Sequence, residues 1–313
     1  MNVWNALDAF PTGREPLVAT IGNFDGVHLG HQAILVSVTT AARARSAPSL
    51  VITFDPHPLA VVSPGRRPKL LQTRRQKLET LESCGVDGVL LLPFDRELAA
   101  LDGEAFFGAY LSERLRFAAI HVGRNFRFGR ARGGDLHVLE TIGRERGFTV
   151  VGVPHVEIEG EVVSSSAIRA AVEAGEVERA RAMLGRPYPV TGIVVRGDGR
   201  GRLLEFPTAN LAVDNELIPR RGVYVTETSA FATRFPSITN VGVRPTFGGS
   251  TLTVESHLLD VDEDLYDERL EVRFLARLRD EKKFAGVAEL ADQIARDRAA
   301  ALSFFSGLSL ARR

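Results

Sequence analysis

Five short apolar runs, at residues 17–22, 50–54, 88–92, 119–123 and 148–153, are separated by stretches whose apolar positions recur at helical spacing, at 32–45, 73–83, 103–116 and 136–146. Strand and helix in alternation leave few options: the helices cross over between parallel strands and cover both faces of the sheet. The first half is therefore expected to be a parallel α/β layer, and such sheets bind ligands beyond the carboxyl ends of their strands. His28, His31, Asp55, His57 and Asn125 each follow an expected strand and fall at that end.

Two short helical patterns follow, at 166–173 and 177–184, and then Gly185-Arg186-Pro187-Tyr188-Pro189 changes the character of the chain. Beyond it, runs rich in Val, Ile and Thr at 190–195, 222–228, 237–241, 252–259 and 269–276 alternate with turn residues, the pattern of an antiparallel barrel or sandwich. A last helix is expected over 287–305, with Leu290, Ile294 and Leu302 on its inward face. Two domains, 1–186 and 187–313, match a chain of 313 residues, which is long for one core.

Bulk composition narrows the function. Lys plus Arg and Asp plus Glu balance at 39 each, so no basic excess marks nucleic acid or an anionic membrane as the partner. Cys84 is the single cysteine, which excludes a disulfide framework and fits a reducing compartment. The first residues carry no secretory pattern and no apolar run reaches bilayer-spanning length, so a soluble cytoplasmic protein is expected.

The densest signal is Gly22-Asn23-Phe24-Asp25-Gly26-Val27-His28-Leu29-Gly30-His31, a strand end, a glycine-containing turn and two histidines at a helix mouth. A helix N-terminus offers unpaired N–H groups and a partial positive charge, a seat for phosphate. Two imidazoles three residues apart add donors, with Gly30 between them leaving room for a ligand. Zinc is the weaker reading, because no Cys or further His follows at ligand spacing. Ser164-Ser165-Ser166-Ala167-Ile168-Arg169 is a second helix start, where hydroxyls, N–H groups and a guanidinium one turn on can hold an anion. Taken singly, each of these motifs is matched by a bland one: an N-cap with a surface arginine, a rigid Asp-Pro turn, a turn asparagine.

Together, in this order, Gly22 to His31, Thr53-Phe54-Asp55-Pro56-His57-Pro58, Val122-Gly123-Arg124-Asn125-Phe126-Arg127-Phe128-Gly129 and Ser164 to Arg169 resemble the FMN adenylyltransferase module of bacterial bifunctional riboflavin kinase/FAD synthetases. The second half resembles the riboflavin kinase module of the same family through Gly201-Arg202-Leu203-Leu204-Glu205-Phe206-Pro207-Thr208-Ala209-Asn210, Asn240-Val241-Gly242-Val243-Arg244-Pro245-Thr246-Phe247, Thr253-Val254-Glu255-Ser256-His257 and Arg279-Asp280-Glu281-Lys282-Lys283-Phe284. The resemblance implies a Rossmann-like nucleotidyltransferase domain followed by a β-barrel kinase domain with a C-terminal helix. It implies riboflavin, FMN, FAD, ATP, ADP and pyrophosphate as substrates and products, with Mg²⁺ as the ion.

By that resemblance His28, His31, Ser164, Arg169 and Glu255 are catalytic. Gly22, Phe24, Gly26, His28, His31, Ser164, Ser166, Arg169 and Gly201 bind ATP. Asp55, Asn125, Arg279 and Phe284 contact flavin, and Thr208 and Asn210 hold the metal through hard oxygens. Two positions depart from the family pattern: Glu205 and Asp267 stand where glycine is usual. A glutamate near phosphates opposes ATP, so an adenylyltransferase with an impaired kinase half is the alternative reading. Other readings are a nucleotidyltransferase for a different acceptor and a flavin-binding protein without catalysis.

Overall fold

Six parallel strands form the first sheet: β1 (Asn2–Trp4), β2 (Leu17–Ile21), β3 (Ser49–Asp55), β4 (Gly88–Pro93), β5 (Phe117–Gly123) and β6 (Thr149–Val153), in the order β1-β4-β3-β2-β5-β6. The computed structural model describes residues 1–11, 15–112, 114–196, 206–246, 249–259, 261 and 263–311. All five residues of β2 are buried, as a central strand covered on both faces requires. Successive side chains alternate between two cores. Leu50 and Ile52 join Phe106, Phe107 and Phe128 on one face. Val51 joins Leu35, Leu81 and Phe24 on the other.

The helices are α1 (Leu29–Ala44), α2 (Pro58–Val62), α3 (Arg74–Ser83), α4 (Arg96–Ala100) and α5 (Leu136–Arg146). α5 has the limits its sequence encodes. Asp135 accepts the Val138 N–H at 3.1 Å to cap the start. Gly147, at φ 79°, ends the helix in the left-handed region. The stretch at 103–116 is not the α-helix expected but a π-helix over Ala105–Leu111. Phe106 and Leu111, five residues apart, are both buried there, a spacing that the wider turn accommodates. A small hairpin, β7 (Glu157–Ile158) and β8 (Glu161–Val162), precedes α6 (Ser165–Ala174) and α7 (Val177–Leu184).

Packing divides the chain into Met1–Leu70 with Arg74–Ser165, and Leu71–Thr73 with Ser166–Arg313. By packing, α6 and α7 therefore belong with the second unit. The reason is that α7 buries Val177, Ala180, Met183 and Leu184 within the second unit. Its Glu178 also accepts the Arg277 backbone N–H at 3.0 Å.

The second unit is built on β9 (Tyr188–Val195), β10 (Ala209–Val213), β11 (Gly222–Ala230), β12 (Thr233–Thr246), β13 (Gly249–Leu258) and β14 (Arg269–Arg279), closed in the order β10-β13-β12-β11-β14-β9. β9 pairs with both β10 and β14, and this closure makes a barrel rather than a sandwich. Aromatic and aliphatic side chains such as Tyr188, Tyr224, Phe274 and Val272 are fully buried in this unit. So is a hydroxyl cluster, in which Thr226 bonds Ser237 at 2.8 Å and Thr239 at 2.7 Å, and Thr228 bonds Ser237 at 2.8 Å and Ser256 at 2.9 Å. Buried hydroxyls are tolerated because they satisfy one another.

The last helix, α8 (Val287–Ala311), corrects one expectation. Leu302 is 39% exposed, whereas Gln293, Asp297 and Ala301 are buried. The middle of the inward face is polar, where Nε and Nη2 of Arg279 donate to Asp297 at 3.0 and 2.7 Å, and further along Ala301, Phe304 and Phe305 pack into the apolar core.

Candidate active sites

The segment from Gly22 to His31 leaves the carboxyl end of β2. Phe24 (φ 48°), Gly26 (φ 84°) and Val27 (φ 39°) all adopt the left-handed region. For the two residues with side chains this conformation costs about 1–2 kcal/mol each. It is held because Phe24 and Val27 are driven into the core, at 1% and 0% exposure. Successive backbone N–H groups in such a turn can form a concavity suited to an anion. Ser165 Oγ donates to Asp25 O at 2.9 Å, which ties the serine motif to this loop.

His28 caps α1: its Nδ1 accepts the His31 N–H at 3.3 Å, and the two imidazoles stack at 3.7 Å and 17°. Gly30 also has a task within the fold. A Cβ there would lie 3.2 Å from the His28 ring, so the glycine makes room for the imidazole. His31 packs 5.0 Å from the Phe24 ring, and its Nδ1 is buried without a hydrogen-bond partner among the described residues. Burial, then His28 and Lys77, hold its pKa well below the usual 6.5. His31 is therefore a neutral imidazole at neutral pH, able to offer one N–H and one lone pair.

At the ends of β3 and β5 lie the expected flavin contacts. Asp55 pairs with Arg74 at 3.4 Å, both about half exposed. Asn125 is exposed in the turn after β5. His57 is engaged locally, its Nδ1 accepting the Leu59 N–H at 3.2 Å as the cap of α2. Sequence reasoning missed the aromatic surroundings. Phe54 meets Phe94 at 5.3 Å and Phe106 at 6.4 Å, Phe106 stacks on Tyr110 at 6.0 Å, and Phe126 on Phe128 at 5.3 Å. It also missed Lys77 of α3, whose Nζ donates to Asn23 O at 3.0 Å. Ser166 and Arg169 lie on α6, in the second unit.

In the barrel, register assembles the second constellation. Asn210 on β10 stands opposite Val195 on one side and Glu255 on the other, and Glu255 stands opposite Asn240 of β12. Their chain neighbours Ala209, Leu211, Val254, Ser256, Thr239 and Val241 are buried, so the row Asn210–Glu255–Asn240 occupies the outer face. Two residues along β13, His257 Nδ1 donates to Pro207 O at 2.7 Å and its ring meets Phe206 at 5.6 Å. That contact fixes the chain entering Thr208.

Arg279 is committed to Asp297 and lies 5.9 Å over the Phe284 ring, as does Lys282. The same segment brings Glu281 beside Gly242 and Asn240, since a Cβ on Gly242 would strike the Glu281 carboxylate and come 2.9 Å from Asn240 Nδ2. Gly201 and Glu205 lie outside the described residues, as does Phe247. Asp267, the other departure, sits at φ 65° with its N–H donating to Val194 O at 3.0 Å, so the position does use the conformation glycine favours.

Comparison with known proteins matches residues 11–167 to the FAD synthetase family and residues 184–305 to the riboflavin kinase family. A bifunctional riboflavin kinase/FMN adenylyltransferase of Escherichia coli K12 is 40% identical over 293 residues, 93% of this chain and 94% of that one. One of Pseudomonas fluorescens is 40% identical over 91% of each chain, and one of Bacillus subtilis 32% identical over 93% of each. Among solved structures, one titled a macrolide-efflux protein from Streptococcus pneumoniae superposes with a TM-score of 0.86 at 30% identity, over 96% of this chain and 97% of that one. Among the described residues of this chain no helix is long and apolar enough to cross a membrane.

Proposed function

The chain belongs to the bifunctional riboflavin kinase/FMN adenylyltransferase family and carries both activities, and from that premise we propose how its residues divide the work. Because both halves match, the bifunctional reading is favoured over an adenylyltransferase with a silent kinase half. The observation that carries the assignment is the left-handed turn through Phe24 to Val27 opening onto the stacked His28 and His31.

In adenylyl transfer an oxygen of the FMN phosphate attacks the α-phosphorus of ATP, the bond to the bridging oxygen breaks, and pyrophosphate leaves. No proton need move, so the protein's task is to position the groups and neutralise charge. The loop amides of Gly22, Phe24 and Gly26 with His28 and His31 would hold the polyphosphate. Ser164, Ser166 and Arg169 are proposed to add donors to it. Flavin would lie near Asp55 and Asn125 against the phenylalanines around Phe54, whose flat faces suit an aromatic ring.

In phosphorylation the riboflavin 5′-hydroxyl oxygen attacks the γ-phosphorus as Glu255 takes its proton, and ADP leaves. Thr208 and Asn210 would hold Mg²⁺. The donor set fits, a hydroxyl and an amide oxygen with Glu255 directly across the ladder, and such a hard cation takes its other ligands from phosphate and water. When bound, the ion neutralises phosphate charge. Gly201 is proposed at the ATP side, and Arg279 and Phe284 at the flavin. The modules are proposed as residues 1–186 and 187–313, working in the cytoplasm on free nucleotides and flavins, without nucleic acid or membrane partners.

The test separates the two sites in one chain. His31→Ala is expected to lower FAD formation by about 10²–10³ while FMN formation continues. Glu255→Gln should stop FMN formation while supplied FMN still becomes FAD. Loss of both activities in either folded variant contradicts the division.

A further inference from the structure

We propose that Lys77 is the cation that receives the phosphate of the acceptor flavin nucleotide during adenylyl transfer. The proposal rests on the assignment of His28 and His31 to ATP and adds the second anion's seat. Lys77 comes from α3, but its Nζ reaches the nucleotide loop and donates to Asn23 O at 3.0 Å. An ammonium has three N–H groups, and the carbonyl takes one. The carboxylates whose charge acts on it are Asp25 from the loop and Asp55 from the end of β3, and its own charge acts on His31 at the helix mouth. Lys77 therefore lies where the expected nucleotide loop and the expected flavin contact share one electrostatic neighbourhood.

The reaction needs a cation there. It brings a phosphate monoester against a triphosphate, and the two repel each other. His31 is held neutral, so it offers a hydrogen bond and no charge. Arg74 is already paired with Asp55. Lys77 has Asp25 and Asp55 as its electrostatic partners, and Asp25 is only 2% exposed. An entering phosphate dianion competes with those carboxylates for the ammonium, which selects a doubly charged acceptor over the uncharged 5′-hydroxyl of riboflavin. Burial also lowers the lysine's pKa from 10.5 despite the two carboxylates, so its charge is lost at lower pH than for a solvated lysine.

The experiment uses the full chain and its other activity as an internal control. Wild type, Lys77→Met, Lys77→Arg and His31→Ala are assayed for FAD formation from FMN and Mg-ATP, and for riboflavin phosphorylation. Lys77→Met is expected to cut kcat/KM for FMN by about 10²-fold or more, with riboflavin phosphorylation within twofold of wild type. Lys77→Arg, which keeps the charge, should recover at least tenfold of that loss and remove the alkaline fall in the pH profile. If His31→Ala is inactive but Lys77→Met stays within threefold of wild type, the inference is overturned while the ATP assignment stands. If Lys77→Met and Lys77→Arg lose activity equally and the alkaline limb is unchanged, Lys77 only braces the loop and the inference is again overturned. An active His31→Ala removes the ATP assignment and the inference with it.

Discussion

Removing Asp297 from the inward face of α8 should destabilise the barrel unit far more than an average substitution. The side chain of Asp297 is 8% exposed and that of Arg279 20%, and the guanidinium makes contacts at 3.0, 3.1 and 2.7 Å to the carboxylate. Asp297 also accepts from Gln293 Nε2 at 2.9 Å, and Gln293 in turn accepts from Lys282 Nζ at 3.1 Å. Asp297→Ala leaves a covered guanidinium with its counter-charge gone, which costs about 3–5 kcal/mol. At about 2–4 °C per kcal/mol for a domain of this size, the barrel transition should fall by roughly 6–20 °C. Urea and thermal unfolding of the full chain, followed at the barrel's transition, measure this. The double change Arg279→Met with Asp297→Leu should recover most of the loss, because replacing a buried pair by apolar groups is often neutral. A loss below about 0.5 kcal/mol for Asp297→Ala, within the ordinary range for surface positions, would refute the reasoning.

Asp267→Gly should stabilise the protein by up to about 1–2 kcal/mol, the cost of a left-handed residue with a side chain, read as a rise in Tm; a fall would show that the aspartate contributes more than its backbone strain removes. Stability should also decline in mild acid. The folded pKa values of His31 and His121 are lowered chiefly by burial, so below the unfolded value of about 6.5 the unfolded chain binds more protons. Their contribution is full above that pH and lost as pH falls towards the folded values. His121 is 4% exposed with its Nε2 unpartnered among the described residues, so His121→Gln should flatten the loss between about pH 7 and 5 in urea titrations; an unchanged slope would count against it.

Much of this architecture was legible because local and tertiary signals agree. The alternation of 3.6-fold and strand patterns gave the parallel sheet, and the helical pattern over 136–146 coincides with α5. The reading failed where a partner lay far along the chain. β1 is three residues long and exists because Val3 pairs with Val89. β10 carries the polar Asn210 outward and follows Pro207, so it resembles a loop until the barrel closes around it. Lys77 sits in a helical pattern whose lysines ordinarily face solvent, and its partner Asn23 is 54 residues away. On α8 an apolar stripe reaching Leu302 was expected, but the buried positions include Gln293 and Asp297 as well as Ala301, because Asp297 pairs with Arg279. The histidine motif was found, but only the structure shows the His28 ring filling the space beside Gly30.

The most direct measurement is a crystal structure with a nonhydrolysable ATP analogue bound to the amino-terminal unit. The account predicts the polyphosphate on the amides of the turn through Phe24 to Val27, within hydrogen-bond reach of His28 or His31. A triphosphate bound elsewhere, with both imidazoles and the turn untouched, would contradict it.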